Sequence, residues 1–249
     1  MISEVFNLDC MEGMKQYPDK YFDLAVVDPP YGLGDKIYNG GGAHTKANVK
    51  FHHLFSENHK RWDVMPSDEY FKELKRISVN QIIWGGNYFV LGPTRGFIVW
   101  DKKQMMPNFS RCEFAWTSFD KPANIAEVPF FGNAKGDITE KIHPTQKPVR
   151  LYDWIYKNYL SCRTCNDTGL IWEDVVGDGG SRMQLGCEEC PLGEGRNYRV
   201  LDTHLGSGSN RIAADRSGII DFTGYELDKE YFDDQEKRFK NYKLQLRLL

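Results

Sequence analysis

A carboxylate, two prolines and an aromatic ring follow directly on residues 21–27, an apolar segment with the length of a buried strand. The four residues are Asp28, Pro29, Pro30 and Tyr31, and in an open α/β sheet the carboxyl end of a strand is where ligands bind. An exocyclic amine is a poor nucleophile while its lone pair is conjugated with a ring, so the Asp28 carboxylate and the Pro29 carbonyl could activate one by accepting its N–H groups. Tyr31 could stack on the ring while the prolines stiffen the turn. A proline-rich strand exit without chemistry is the alternative.

A second strand-like segment, within residues 199–209, runs into a glycine turn and the start of a helix. Two glycines allow a tight turn with close backbone approach, and two serines can cap the helix; these residues are Gly206, Gly208, Ser207 and Ser209. Glu226 ends the next strand, 20 residues beyond Gly206, which suits a carboxylate that binds both hydroxyls of a ribose. A dinucleotide site is the weaker interpretation, because Arg211 stands where the dinucleotide fingerprint has its third glycine.

Together the two motifs resemble those of the S-adenosylmethionine-dependent amino-methyltransferases of DNA. In that family the first pattern is the catalytic motif and the second, usually Asp-Pro-Phe-x-Gly-Ser-Gly, is the cofactor loop; here Thr203 replaces the proline and His204 the phenylalanine. The catalytic motif comes first, as in the permuted beta group, whose members often carry His-Pro-Thr-Gln-Lys-Pro shortly before the cofactor loop. Residues 143–148 have this sequence. The resemblance covers nearly the whole chain apart from one cysteine-bearing stretch.

The resemblance implies a fold, a reaction and a set of site residues. The fold would be α/β, with a seven-stranded, mostly parallel, Rossmann-like methyltransferase sheet that has helices on both faces. The reaction would transfer a methyl group to N6 of an adenine flipped out of double-stranded DNA. The catalytic residues would be Asp28, Pro29, Pro30 and Tyr31. The residues that contact the cofactor S-adenosylmethionine would be Asp9, Asp202, His204, Gly206, Ser207, Gly208, Glu226, His143, Thr145, Gln146 and Lys147.

Four of the six cysteines form two Cys-x-x-Cys pairs with 21 residues between them, close to zinc-ribbon spacing. They are Cys162, Cys165, Cys187 and Cys190. One structural Zn²⁺ is predicted to hold this glycine-rich stretch together, and four thiolates leave no open position for a catalytic metal. We therefore expect a methyltransferase catalytic domain of residues 1–161 and 199–249, with a zinc-ribbon-like insertion of residues 162–198. The insertion could extend the contact with DNA or mediate association with another chain, as in a homodimer.

The composition of the chain bounds its class and its partners. At 249 residues with 41% hydrophobic content, the chain can bury an α/β core without disulfides. The net charge of −3 gives no general basic signature, so contact with DNA needs a local patch. Residues 35–62 are the best candidate, because basic and aromatic side chains interleave there; a solvated loop is the alternative. No apolar run could span a bilayer and no signal-peptide pattern opens the sequence, so we expect a soluble protein of the cytoplasm in a prokaryotic or phage-infected cell.

Apolar periodicity predicts the elements around the motifs. Strands are expected at residues 81–84, 97–100 and 113–116, the last two as an antiparallel pair, and amphipathic helices at residues 67–77 and 149–160. Residues 85–88, at another strand exit, could border the base pocket. An opening strand at residues 5–9 would end on Asp9, for which a surface turn is the alternative to a cofactor contact.

Several alternatives to methylation of adenine N6 remain open. Methylation of cytosine N4 uses the same amine chemistry, although such family members more often have serine at the position of Asp28. RNA or a protein glutamine amide fits the permuted order less well. A zinc-bearing DNA-binding protein with a degenerate cofactor site belongs to a different class, and His204 is the main argument for it. The resemblance also suggests a place in a restriction-modification system.

Overall fold

The computed structural model describes residues 2–33, 63–105, 110–130, 142–143, 145–160, 170–174, 182–186, 198–218 and 220–246, with the backbone alone for 170–174 and 182–186. The strands in these ranges are β1 (Ser3–Phe6), β2 (Phe22–Val27), β3 (Ser78–Trp84), β4 (Phe97–Asp101), β5 (Cys112–Thr117), β6 (Asn124–Glu127), β7 (Leu170–Asp174), β8 (Arg182–Gly186), β9 (Tyr198–Asp202) and β10 (Ile220–Tyr225). The helices are α1 (Cys10–Met14), α2 (Asp68–Ile77), α3 (Val149–Tyr159), α4 (Ser209–Ser217) and α5 (Lys229–Leu246), with a short 3₁₀ turn at Gly86–Tyr88.

Eight of these strands form one sheet in the order β1-β10-β9-β2-β3-β5-β4-β6. Strand β5 runs antiparallel to both of its neighbours, β3 and β4, and the other pairings are parallel. The predicted antiparallel pairing of residues 97–100 with 113–116 is confirmed by β4 and β5. Because β5 is reversed, its amino-terminal end lies at the edge where the parallel strands have their carboxyl ends.

The sheet has eight strands in the described part of the chain, not the predicted seven. Strand β6 occupies one edge, parallel to β4, and lies in a segment that shows no strand-like alternation in the sequence. Ala126 is its one buried residue, and Ile125 is exposed. A strand that buries so little apolar surface is formed by its pairing with β4, which the sequence of the strand does not reveal.

Strand β2 is buried on both faces. Leu24 and Val26 pack into a cluster that contains buried residues of α3 and α4, whereas Ala25 and Val27 pack into another with buried residues of α1 and α2. Successive side chains of a strand point to opposite faces, so this division places helices on both faces of the sheet, as predicted. A strand covered in this way reads as an unbroken apolar run, which explains residues 21–27.

The strand order reverses between β2 and β9. From β2 the chain continues into β3 on one side, whereas β9, β10 and β1 lie on the other side. Ligands of open α/β sheets bind beyond the carboxyl ends of the strands at such a reversal. The register pairs Leu24 with Val200 and Ala25 with Leu201, so the two strands end side by side.

Strands β7 and β8 pair antiparallel in a two-stranded sheet of their own, inside the predicted insertion at residues 162–198. The four cysteines of the predicted zinc site lie outside the described residues, as do residues 35–62, the predicted basic loop. The domain boundaries and the zinc ligands therefore stay predictions. None of the helices in the described ranges combines the length and the apolar character that a bilayer crossing requires.

Candidate active site

A cavity of about 360 Å³ opens where β2 and β9 end. Its walls come from the exits of β2, β9 and β10, the start of α1, residues 63–67 and the segment before α3. All of the predicted catalytic and cofactor residues line it except Asp202 and Gly208; those that do are Asp9, Asp28, Pro29, Pro30, Tyr31, His143, Thr145, Gln146, Lys147, His204, Gly206, Ser207 and Glu226. The structure thus brings together two motifs from opposite ends of the sequence.

Glu226 presents a fixed carboxylate to the cavity. Its two oxygens accept hydrogen bonds from the backbone N–H groups of Gly206, at 2.8 Å, and of Asp228, at 2.9 Å. Gly206 has a φ of +50°, a conformation that favours glycine where the loop turns towards Glu226. Burial raises the pKa of Glu226 to about 7, against the opposing effect of the two amides. Each oxygen can accept a second hydrogen bond, and a vicinal diol would supply two.

Asp202 lies behind the cavity wall and ties β9, α4 and β2 together. It accepts hydrogen bonds from Asn210 Nδ2 at 2.9 Å and from the backbone N–H of His204 at 3.1 Å. Asn210 Nδ2 also lies 3.2 Å from the Val26 carbonyl oxygen, to which it donates. Burial raises the pKa of Asp202 to about 7. Together with Gly208, which precedes α4 with a φ of +70°, Asp202 shapes the loop from outside the cavity.

The two departures from the family's cofactor loop form a polar chain with a tyrosine of α2. The Thr203 hydroxyl lies 2.6 Å from the Tyr70 hydroxyl and 2.9 Å from Nδ1 of His204. The His204 ring also packs edge-on against Tyr70, with 5.6 Å between the ring centroids. Burial lowers the pKa of His204 to about 4, so the imidazole is neutral near pH 7. The wall of the cavity accommodates both substitutions without leaving either side chain unpartnered.

Asp9 caps a helix at the rim of the cavity. The opening strand predicted at residues 5–9 is found as β1 at Ser3–Phe6, and Asp9 Oδ1 accepts a hydrogen bond from the backbone N–H of Met11 at 2.8 Å. The cap occupies Oδ1 alone. The position is therefore compatible both with a surface turn and with a ligand contact.

The segment before α3 lies against the glycine loop. The backbone N–H of Gln146 donates to the carbonyl of His143 at 3.2 Å, and Nδ1 of His143 lies 3.1 Å from the Thr145 hydroxyl. The His143 ring packs edge-on against Tyr231, with 4.4 Å between centroids. A Cβ at Gly206 would come within 3.7 Å of the His143 ring. The two predicted cofactor segments therefore form neighbouring parts of one wall.

Two donors hold the carboxylate of Asp28, the first residue of the predicted catalytic motif. The Tyr31 hydroxyl donates to Oδ1 at 2.6 Å, and the Lys147 ammonium pairs with Oδ2. Burial and the charge of Asp28 raise the pKa of Tyr31 well above its ordinary value, so the hydroxyl keeps its proton. The Asp28 side chain is 18% exposed, which leaves it accessible from the cavity.

One face of the Tyr31 ring is already covered. It stacks on Tyr88, with 4.8 Å between centroids and 18° between the ring planes, and the edge of Phe89 completes the group. Gly85 has a φ of +67°, and a Cβ there would lie 2.2 Å from the Tyr31 ring, so glycine gives the ring its room. A planar ligand that stacks on Tyr31 would take the face opposite Tyr88.

Sequence reasoning missed Tyr70, Glu113 and Lys102 as site residues. Tyr70 lies on the buried face of α2, where its aromatic ring is indistinguishable from core packing. Glu113 is the second residue of β5 and Lys102 follows β4, and their side chains pair with each other at 2.6 Å. A charged residue near the end of an apolar strand was the available sequence signal for Glu113 and Lys102. That signal does not show which side chain each one pairs with.

In the described part of the chain, no group of three or more His, Cys, Asp or Glu side chains could hold a metal ion. The predicted structural zinc therefore has no support there. It stays a prediction about four cysteines outside the described ranges.

No protein-family model matches the chain. Among solved structures, the chain is similar to M1.HpyAVI in its complex with SAM, at 19% identity over 96% of this chain and 99% of that chain, with a TM-score of 0.47. It is also similar to the cytosine-N4-specific PvuII DNA methyltransferase, at 11% identity over 96% of this chain and 86% of that chain, with a TM-score of 0.51. The chain has the fold of the PvuII enzyme. At such identities the likeness concerns the fold, and the reaction has to be argued from the site.

Proposed function

We propose that the protein transfers the methyl group of S-adenosylmethionine to the N6 amine of an adenine in double-stranded DNA. The observation that carries this proposal is one cavity in which two of the lining carboxylates, Asp28 and Glu226, are held in different ways. Asp28 is held by side-chain donors beside an aromatic ring, and Glu226 is held by backbone amides beside a glycine loop. The first suits an amine on a planar ring, and the second suits the hydroxyls of a ribose.

The residues of the glycine loop fit S-adenosylmethionine. A buried carboxylate is stabilised by each hydrogen-bond donor that it gains. Glu226 accepts from two backbone amides, and its oxygens can accept two more hydrogen bonds. The ribose hydroxyls would supply these, while Gly206 allows close approach of the loop and Asp9 lies at the rim. The cavity volume is within the range of small-molecule sites. When bound, the cofactor supplies an electrophilic methyl group.

Asp28 would act on the amine of the target base. Its carboxylate accepts one N–H group and the Pro29 carbonyl accepts the other, which makes the nitrogen lone pair more available for attack. Positive charge would develop on the nitrogen as it accepts the methyl group that S-adenosylmethionine would supply, and the fixed Asp28 carboxylate would stabilise that charge. The methylated nitrogen would then release one proton to solvent. The protein contributes orientation and electrostatic stabilisation, and the reaction needs no covalent enzyme intermediate.

The target adenine would be flipped out of the duplex and would stack on Tyr31, on the face opposite Tyr88. Contact with the DNA backbone is proposed for the basic side chains of residues 35–62. A further contact, or association into a homodimer, is proposed for the insertion at residues 162–198.

Methylation of cytosine N4 is the second candidate. The PvuII enzyme, whose fold the chain shares, is named as cytosine-N4-specific, and the amine of cytosine could be held by the same acceptors. Asp28 favours adenine, because it is the residue of the N6-adenine motif that the sequence resembles. A degenerate cofactor site is less well supported, since the hydrogen bonds of Thr203 with Tyr70 and His204 accommodate both substitutions in the loop.

The test uses purified protein, S-adenosylmethionine and unmethylated duplex DNA of high sequence diversity. After the reaction, the DNA is digested to nucleosides and analysed by mass spectrometry, and binding of S-adenosylmethionine is measured by calorimetry. N6-methyladenine is the expected product, and N4-methylcytosine as sole product would select the second candidate. The absence of both cofactor binding and methylation would overturn the proposal in favour of the DNA-binding alternative.

A further inference from the structure

Four charged side chains form a row that leads away from the catalytic motif, with the order Lys102, Glu113, Lys147 and Asp28. We propose that Lys147 is a positioning residue that orients the Asp28 carboxylate towards the amine, and that Glu113, anchored by Lys102, holds Lys147 in place. The inference rests on the proposed function and adds a role for three residues that the catalytic motif does not contain.

The geometry of Lys147 leaves it little freedom. Its side chain is 3% exposed, and its ammonium pairs with Asp28 Oδ2 on one side and lies 3.2 Å from Glu113 Oε2 on the other. The same nitrogen lies 5.3 Å from the centroid of the Trp84 ring. Two carboxylates and the face of an indole therefore surround the ammonium.

Lys102 anchors the far end of the row. Its ammonium lies 2.6 Å from Glu113 Oε1, and the centroids of the Trp100 and Phe130 rings are 5.1 Å and 5.2 Å away. Glu113 thus has one cation on each oxygen and cannot turn away from Lys147 without losing an ion pair. Its orientation is set before any ligand enters the cavity.

Alternating charges stabilise this partly buried row. An isolated buried charge is strongly unfavourable, whereas each inner member of the row has an opposite charge on both sides. Burial lowers the pKa of Lys147, but Asp28 and Glu113 outweigh that effect and raise it above the ordinary value. Burial raises the pKa of Glu113, but Lys147 and Lys102 outweigh that effect and lower it. Lys147 therefore stays a donor over the pH range in which such proteins are assayed.

The reversed strand β5 explains how Glu113 reaches the site. Trp84, at the carboxyl end of β3, pairs with Ala115, so Glu113 extends beyond that edge towards the cavity. In the pairing of β4 with β5, Trp100 is opposite Glu113. Lys102 follows Trp100 by two residues and therefore reaches the same edge of the sheet. A parallel β5 would have placed its carboxyl end there instead.

The row fixes Asp28 in a way that suits the proposed reaction. Tyr31 occupies one lone pair of Oδ1 and Lys147 occupies one of Oδ2, so the plane of the carboxylate is set while each oxygen can still accept the amine. Without Lys147, Tyr31 would be the one side chain among the described residues that donates to Asp28. Transfer should then slow because the acceptor is misplaced, whereas the cofactor wall beside Glu226 should be unaffected.

The experiment compares wild-type protein with Lys147→Met, Lys147→Arg, Glu113→Gln, Asp28→Asn and the double variant Asp28→Asn/Lys147→Met. Lys72→Met is the control, because Lys72 is 75% exposed on α2 and lies outside the cavity lining. The single-turnover rate of methyl transfer to duplex DNA, the cofactor dissociation constant by calorimetry and the melting temperature without cofactor are measured for each protein.

We expect Lys147→Met to lower the transfer rate by ~10²–10³, the usual effect of losing one preorganised interaction at a reacting group, with an unchanged cofactor dissociation constant. Lys147→Arg should retain part of the rate, and Glu113→Gln should lose less than Lys147→Met. In the Asp28→Asn background, Lys147→Met should cost almost nothing further, because two residues that act as a unit are not additive. Lys72→Met should behave as wild type.

The melting temperature gives a test without cofactor or DNA. Lys147→Met removes the cation that pairs with Asp28 and should lower the melting temperature. Adding Asp28→Asn removes the charge left without its ion pair and should restore part of the loss. A full rate penalty for Lys147→Met in the Asp28→Asn background, or a tenfold weaker cofactor affinity in Lys147→Met, would assign Lys147 to the cofactor and overturn the inference. Normal transfer by Lys147→Met would overturn it while the proposed function stands. No transfer by wild-type protein would overturn both.

Discussion

Leu24 of β2 and Val200 of β9 are register partners in adjacent parallel strands. This pairing brings together two motifs that lie near opposite ends of the sequence, because one motif directly follows β2 and the other directly follows β9. Asp28 and Glu226 thereby line one cavity, although no helix or strand contains both.

Asp28→Ala should abolish most of the methyl transfer and leave cofactor binding nearly unchanged. The substitution removes the acceptor that stabilises positive charge on the amine, and a loss of ~10²–10³ in single-turnover rate is expected. Calorimetry of the same protein with S-adenosylmethionine is the control for the integrity of the other half of the site. Normal methylation by Asp28→Ala would contradict the role given to this carboxylate.

Glu226→Ala should have the opposite profile. It removes the carboxylate that the amides of Gly206 and Asp228 orient towards the cavity, so cofactor binding should weaken by about 1.5–3 kcal/mol, the range for a charged hydrogen bond. The rate at saturating cofactor should fall less than in Asp28→Ala. Calorimetry and single-turnover kinetics on both variants test this division of roles between Asp28 and Glu226. An unchanged cofactor affinity in Glu226→Ala would refute it.

The sequence was sufficient to place the strand exits that form the cavity. Asp28 and the glycine loop each follow an apolar run, and parallel strands bring their carboxyl ends to one edge, so proximity followed from topology alone. The register could not be read, because apolar runs buried on both faces carry no alternation to set it. The cap made by Asp9 and the position of Asp202 behind the wall depend on loop geometry that residue types do not encode.

The partners of Lys147 were beyond sequence reasoning for a different reason. Residues 113–116 predict a strand and residues 97–100 its antiparallel partner. Which end of β5 lies at the cavity depends on the direction in which β5 pairs with β3, and the sequence does not give that direction. Only with that direction known does Glu113 become a neighbour of Lys147. The ammonium of Lys147 contacts Asp28, and the predicted contact of Lys147 with the cofactor stays a prediction.

Tyr88→Ala should slow methyl transfer modestly. Tyr88 is 42% exposed and stacks on the face of Tyr31 that a base would not use, so it supports the ring without contacting the amine. An aromatic pair contributes about 0.5–1.5 kcal/mol beyond burial, which corresponds to roughly a two- to tenfold loss. Tyr88→Phe keeps the stack and should retain the rate in the same single-turnover assay. Equal losses in both variants would show that stacking is not the cause.

Purified protein should contain about one zinc per chain, bound by Cys162, Cys165, Cys187 and Cys190. Structural zinc can contribute on the order of 10 kcal/mol to its own module. Cys162→Ser with Cys165→Ser should therefore lose the metal and increase hydrogen exchange within residues 162–198, while the sheet that carries Asp28 stays folded. Metal analysis of protein prepared without chelators is the direct measurement. Cys10→Ser, outside both cysteine pairs, is the control, and a metal-free wild-type protein would disprove the prediction.

Cofactor affinity should depend on pH through Glu226. Burial raises the pKa of this carboxyl from 4.5 to about 7, and ribose hydroxyls donate to the ionised form, so affinity should be highest above pH 7 and fall by about tenfold per pH unit below it. Stability without cofactor should change in the opposite direction. Because the folded pKa lies above the unfolded value, the folded state binds more protons between pH 4.5 and 7, and its stability declines as pH rises through that window.

Calorimetry from pH 5.5 to 8.5 in buffers of different ionisation enthalpy measures both the affinity and the protons released on binding. Proton release should approach one per site near pH 6, where free Glu226 is mostly protonated and the bound carboxylate is ionised. Glu226→Gln carries no titrating group at this position, so its affinity should be lower and nearly independent of pH over this range. An affinity of the wild-type protein that is flat from pH 5.5 to 8.5, or a Glu226→Gln variant with the wild-type slope, would place the titrating group elsewhere.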